Sequence, residues 1–215
     1  MEEKNINGRL EAFCDGVFAF ALTILILDVK VVLPENIHTE EELWQSLKDL
    51  LPHFSAFLLS FAIIAITWYN HHATMKLINK TTPHFIYANF FLLLNIVIIP
   101  FPTGLFSEFG FTEAAAPAVV LYSFVILLCN IGWILITQSA LKPQTLAKND
   151  AAKKTIEAIA KQSWSAFFLY SICTILAFWF PLAIFVVLSL TWIVWLILGI
   201  NYKESKTNLP AEVSE

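Results

Sequence analysis

The chain has 215 residues, of which 58% are hydrophobic and 14% charged, with a formal net charge of −4. A soluble domain carries about a quarter charged residues, so this composition excludes an ordinary soluble enzyme or binding module and indicates an integral membrane protein. No basic patch points to nucleic acid. The three cysteines, Cys14, Cys129 and Cys173, fall inside apolar segments without paired spacing, which predicts neither a disulfide framework nor a zinc site.

The N-terminal stretch MEEKNINGRLEAF is acidic and lacks a basic region or a small-residue cleavage site, so the first apolar run reads as a retained helix. A bilayer span takes roughly 17 to 25 mostly apolar residues. By that measure the sequence offers six, at 8–29, 53–73, 83–106, 114–140, 162–179 and 181–201. The last two meet at FWFPLA, where Pro181 cannot extend the preceding helix but suits the first turn of the next, so a tight helical hairpin is expected. The predicted fold class is therefore an all-α membrane protein, a single domain over 1–203 followed by a polar tail at 204–215.

Lysine and arginine orient the spans, because cytoplasmic segments collect them. Eleven of the thirteen lie before the first span or after the even-numbered ones: Lys4, Arg9, Lys76, Lys80, Lys142, Lys148, Lys153, Lys154, Lys161, Lys203 and Lys206. Lys30 and Lys48 alone fall in the odd-numbered connections, which carry the acids Glu35, Glu40, Glu41, Glu42, Asp49, Glu108 and Glu113. Both termini are expected in the cytoplasm. Between the first two spans, TEEELWQSLKDLLPHF opens with a Thr39 to Glu42 capping box and sets Leu43, Leu47, Leu50 and Leu51 on one face, predicting a short outer amphipathic helix. KPQTLAKNDAAKKTIEAIAKQ predicts a cytoplasmic helix running into the fifth span.

The first span carries the unusual chemistry. At about 100° per residue, Arg9, Phe13, Gly16, Phe20, Thr23, Ile24 and Leu27 share one sector of the helix, while Glu11 and Asp15 lie opposite. Charge within a membrane helix costs at least a few kcal/mol, so these groups need partners or water. Glu11 has two open readings, an interfacial acid favoured by the positive end of the helix dipole or a buried partner of another helix. Asp15, about two turns in, is expected to pack against other helices. Trp68, Asn70, His71 and His72 at the end of the second span, and Asn89 in the third, belong to the same cytoplasmic layer and could satisfy Arg9 and Asp15 by interhelical hydrogen bonds. Adjacent histidines point to different faces and no third ligand stands out, so no metal site is expected.

RLEAFCD, with Arg9, Phe13 and Asp15, resembles the RxxxFSD signature of the transmembrane protein 175 family of cation channels, with Cys14 in place of serine. The following GVFAFALTILILD, the Trp68 and His71–His72 region, and NIVIIPFPT from Asn95 to Thr103 are also similar to the family. The resemblance implies a homotetramer embedded in the cell membrane, in which the first helices line a central pore without a TVGYG filter. It places a hydrophobic constriction at Phe20, Ile24 and Leu27, with Thr23 as the polar position beside it. Arg9, Phe13 and Asp15, with Trp68, Asn70, His71, His72 and Asn89, would hold the pore helices in register. The implied activity is passive conduction of potassium or other monovalent cations, with no cofactor. Phe20 stands where a smaller aliphatic is common in the family.

Two alternatives follow from the residues alone. Aliphatics and phenylalanine at helical spacing also serve ordinary packing. A proton-coupled transporter could use Asp15, Glu11 and the histidines as a relay, although no inverted repeat or clearly midplane charge accompanies them. A membrane-embedded enzyme lacks both a metal-binding Glu/His pair and a nucleophile elbow.

Overall fold

The computed structural model describes residues 7–28, 37–142 and 145–207, with side chains over those ranges except at Asp28 and 198–207. Lys4, Val29, Lys30, Glu35, the side chains of Lys203 and Lys206, and the tail beyond Thr207 lie outside the described residues.

The described chain is helical throughout apart from its connections. Helix α1 spans Gly8–Ile24 and winds on as a 3-10 turn over Leu25–Asp28. The others are α2 Glu40–Asp49, α3 Leu51–Met75, α4 Pro83–Ile98, α5 Pro100–Phe109, α6 Ala115–Leu141, α7 Asp150–Leu176 and α8 Pro181–Thr207. Four stretches among the described residues are long and apolar enough to cross a membrane: Gly8–Leu27, Leu51–Met75, Pro83–Phe109 and Ala115–Leu141. The Pro181–Ile197 part of α8 is apolar, and α7 joins the lysine-rich segment and the expected fifth span in one continuous helix.

Local chemistry sets the helix ends. The capping box on α2 forms: the Glu42 N–H donates to Thr39 Oγ1 at 3.2 Å, and Glu42 Oε2 accepts from the N–H groups of Thr39 and His38 at 3.0 and 2.8 Å. Those backbone donors hold the Glu42 carboxyl below its ordinary range. Thr82 caps α4 and Asn149 caps α7 in the same way, accepting from Phe85 and Ala152 N–H. Pro181 begins α8 after the turn that follows α7.

The third apolar segment, expected at 83–106, is one candidate span over Pro83–Phe109, but its helix is interrupted. It is divided into α4 and α5 at Ile99, because Pro100 has no N–H to donate to Ile96 and its ring crowds that carbonyl. The Ile99 N–H takes the Ile96 carbonyl instead, at 3.3 Å in a tighter turn. Beside this break Ser60 of α3 bonds Thr103 of α5 at 2.7 Å and Tyr122 of α6 at 3.2 Å. Three buried hydroxyls thus satisfy one another and lock α3, α5 and α6 where the backbone ladder is interrupted.

Helix α6 is the hub, packed against α4, α5, α7 and α8. A Cβ at Gly132 would stand 3.0 Å from Leu92 Cα, so α4 and α6 approach closely there and a larger residue would have to push them slightly apart. The apolar core around this contact includes Phe18, Ile64, Phe85, Leu92, Ile96, Phe106 and Ile126, with Phe106 stacked on Phe185 at 3.6 Å between ring centroids. At one end of the bundle the connections after α3 and α6 pair: Asn79 N–H donates to Leu146 O at 2.8 Å and Lys148 N–H to Leu77 O at 2.9 Å. Asn7, just before α1, donates its side-chain amide to Ile78 O of the same layer at 3.1 Å.

Candidate pore helix and its anchoring cluster

Helix α1 has one closed and one open face. Cys14, Phe18, Ala21 and Leu25 are all but inaccessible, none exposing more than 1%, and they pack into the core. The opposite side presents Arg9, Phe13, Gly16, Phe20, Thr23 and Leu27 to the outside of the subunit, and Ile24 lies half-buried at its edge. Phe20 is 58% and Leu27 72% exposed. A Cβ at Gly16 would meet no atom within 4 Å, so at that position the face is clear of the subunit's other helices. The 3-10 turn keeps Leu25 in the core and turns Ile26 and Leu27 outward.

Thr23 is bonded within its own helix. Its hydroxyl donates to the Phe20 carbonyl at 2.8 Å. With the proton committed to backbone, the oxygen lone pairs remain available on the open face.

Behind α1 the structure gathers most of the polar residues singled out in the sequence. Asp15, half-buried, accepts from the indole Nε1–H of Trp68 at 2.8 Å, and Trp68 stacks on His72 with ring centroids 5.8 Å apart. His71 is buried, with Nε2 2.8 Å from Asn89 Oδ1. The Asn89 amide donates to Phe85 O at 2.7 Å, which leaves its oxygen as acceptor and makes His71 Nε2–H the donor. Phe18 and Trp133 flank the His71 ring at 5.4 and 6.4 Å. Phe13 meets Phe90 of α4 edge-on at 5.6 Å. One short cluster therefore ties α1 to α3 and α4.

Arg9 and Asn70 stand apart from it. Arg9 is exposed on the open face of α1. Asn70 lines a separate cavity of about 120 Å³ between α3, α6, α7 and α8, with Thr67, Asn130, Trp133, Trp192 and Trp195 among its walls. Residues one apart on a helix diverge by about 100°, which takes Asn70 away from His71. Sequence reasoning also missed the polar contacts that join the outer helices: Asn130 donates to Ser163 O at 3.0 Å, and Trp195 Nε1–H to the Tyr170 hydroxyl at 2.7 Å. Their signal was available as isolated polar residues inside apolar runs. Among the described residues no three His, Cys, Asp or Glu side chains converge as metal ligands.

A bundle of long apolar helices, with one helix opening an aromatic and hydroxyl-bearing face away from its own subunit, marks a multi-pass membrane protein. Comparison with known proteins narrows this. Residues 9–100 match the family model described as the endosomal/lysosomal potassium channel TMEM175. The chain is 35% identical over 191 residues to a potassium channel of Chamaesiphon minutus, covering 87% of this chain and 94% of that protein. It is 34% identical over 113 residues to the endosomal/lysosomal proton channel TMEM175 of Mus musculus, 21% of which is covered. The crystal structure of a lysosomal potassium-selective channel TMEM175 homolog from Chamaesiphon minutus superposes with a TM-score of 0.72 at 32% identity, covering 94% of this chain and 98% of that one. The chain belongs to the TMEM175 family of ion channels, and it is not an enzyme.

Proposed function

We propose that the protein is a potassium-preferring cation channel, a homotetramer of six-span subunits with cytoplasmic termini in the cell membrane, whose four α1 helices line the pore. The observation that carries this reading is the open face of α1. Phe20, Thr23 and Leu27 face away from the subunit, and a helix that buries Cys14, Phe18, Ala21 and Leu25 behind it still presents a hydroxyl and large apolar groups outward. The names of the relatives favour potassium as the main permeant ion.

Phe20, Ile24 and Leu27 form the constriction. Stacked apolar rings exclude water when the helices are close and admit a partly hydrated cation when they part slightly. Removing hydration water costs more for sodium than for potassium, so a narrow apolar passage prefers the latter. The lone pairs of Thr23 offset part of that loss. Acidic residues of the outer connections, Glu40, Glu41 and Glu42 among them, raise the cation concentration at the mouth. Asp15, Trp68, His71, His72 and Asn89 brace the pore helix from behind, and Phe13 adds its edge-on contact with Phe90 of α4. No cofactor takes part; the permeant ion is the only small ligand.

Ion flux in liposomes containing the purified protein tests this directly. Wild type passes potassium faster than sodium, and Leu27→Ala or Phe20→Ala raises the flux or erases the preference. Equal, negligible flux in all three proteins under both gradients would reduce the stripe to packing. A proton gradient belongs in the same assay, because the mouse relative is named a proton channel.

A further inference from the structure

A second cleft, of about 600 Å³, lies at the lysine-rich end of the bundle between the start of α4 and the end of α6. It is separate from the open face of α1. Its walls repeat the same gradient on two antiparallel helices. On α6, Leu135, Gln138, Ser139 and Lys142 fall on one face and run from apolar to polar to cationic toward the helix end. On α4 the order is mirrored, from Lys80 and Thr82 just before the helix through His84 to Tyr87 and Ala88. Lys80 and Lys142, His84, and the hydroxyl or amide groups of Thr82, Ser139 and Gln138 therefore crowd one end of the cleft. Leu135, 39% exposed, and Tyr87, 68% exposed, stand at the other. Among the described residues no carboxylate lines it.

The floor is fixed. Leu146, which closes the cleft, is buried and donates its N–H to Ala140 O at 2.8 Å, and its carbonyl accepts from Asn79 N–H at 2.8 Å. The two lysine-bearing connections are thereby held against each other whether or not anything occupies the space between them. Two lysine ammoniums, the Thr82 hydroxyl and the Gln138 amide match a phosphate, and exposed apolar walls continuing into the hydrocarbon level match an acyl chain. A free phosphate would use only half of this surface.

We infer that this cleft is a binding site for the headgroup and upper acyl chain of an anionic phospholipid, held by Lys80 and Lys142. The site couples lipid charge to α4, the helix that contacts α1 through Phe90 and Phe13. It deepens the topology of the channel reading, in which this end of the bundle faces the cytoplasmic leaflet. Binding in micelles is independent of orientation and of conduction, so failure of the site and failure of the channel reading are distinguishable.

Native mass spectrometry of the purified full-length protein in detergent, titrated with phosphatidylglycerol, phosphatidylcholine or inorganic phosphate, tests the site. The comparison is between wild type, the double variant Lys80→Gln/Lys142→Gln, and a control, Lys153→Gln/Lys154→Gln, that removes equal charge from α7. Each lysine near a lipid surface contributes about fivefold, so the first double variant should lose about 25-fold in affinity for phosphatidylglycerol. Wild type should retain phosphatidylglycerol over phosphatidylcholine, the control should match wild type, and millimolar phosphate should fail to displace the lipid. Elution of each variant at the wild-type volume on size exclusion confirms folding. Equal retention of the two lipids, an equal loss in the control, or displacement by phosphate alone would overturn the assignment.

Discussion

The carboxylate of Asp15 on α1 accepts a hydrogen bond from the Trp68 indole of α3 at 2.8 Å, and the same indole stacks on His72 at 5.8 Å. An acid two turns into an apolar helix is thus answered by a neutral donor on another helix rather than by a cation. Interhelical hydrogen bonds in membranes average about 0.6 kcal/mol and reach about 1.7. Trp68→Phe keeps an aromatic ring near His72 but removes the donor, and should destabilise the detergent-solubilised protein within that range. Asp15→Asn keeps an acceptor and should cost less. Thermal unfolding of Trp68→Phe, Asp15→Ala and their double variant forms the cycle, since each removes the bond; purely additive losses would show that the contact contributes nothing.

Periodicity made the open face of α1 legible, because seven residues at helical spacing must share a side whatever they face. The capping box at Thr39 and Glu42 was legible for the same local reason, as was Pro181 at the start of α8. Counting apolar residues hid the interruption at Pro100, since IIPFP is as hydrophobic as an unbroken span. Membership of one layer was likewise readable from topology, whereas membership of one cluster was not. Asn70 and His71 are neighbours in sequence, and helix geometry sends one to an internal cavity and the other to Asn89.

Two glycines give opposite expectations. Gly132→Ala places a Cβ 3.0 Å from the Cα and Cβ of Leu92, so α4 must give by a few tenths of an ångström to admit it. Overpacking of this kind costs about 1 to 3 kcal/mol. Gly16→Ala meets nothing within 4 Å inside the subunit and gains about 1 kcal/mol of helix propensity. In heated size-exclusion runs the first variant should lose its folded peak at lower temperature than wild type, and the second should not. The reverse order would contradict the packing described for α4 and α6.

The Glu42 carboxylate accepts from His38 and Thr39 N–H, which lowers its pKa in the folded chain. A depressed acid contributes stability above its unfolded pKa, about 4.3, and that contribution disappears as the pH falls through the lower folded value. Amide exchange rates at 39–46, corrected for the intrinsic effect of pH, should show α2 protected at pH 7 and losing protection below about pH 4. Glu42→Gln, which can accept the same bonds without titrating, should flatten this dependence. A variant that loses protection on the same pH curve as wild type would place the acid sensitivity elsewhere.

Thr23 separates a chemical contribution to the pore from a steric one. Its hydroxyl proton is given to Phe20 O, so what the side chain offers outward is oxygen lone pairs beside two exposed apolar groups, Phe20 and Leu27. Thr23→Val keeps the shape and removes the lone pairs; Thr23→Ser keeps the oxygen and removes a methyl. If the oxygen helps to replace hydration water, Val should lower the potassium-to-sodium flux ratio several-fold while Ser preserves it. A loss of one cation contact worth about 1 kcal/mol corresponds to about fivefold. Because the position is exposed within the subunit, neither variant should alter thermal stability by more than about 0.5 kcal/mol. A ratio that follows side-chain volume, changing in Ser and not in Val, would make Thr23 a spacer and leave selectivity to the apolar rings alone.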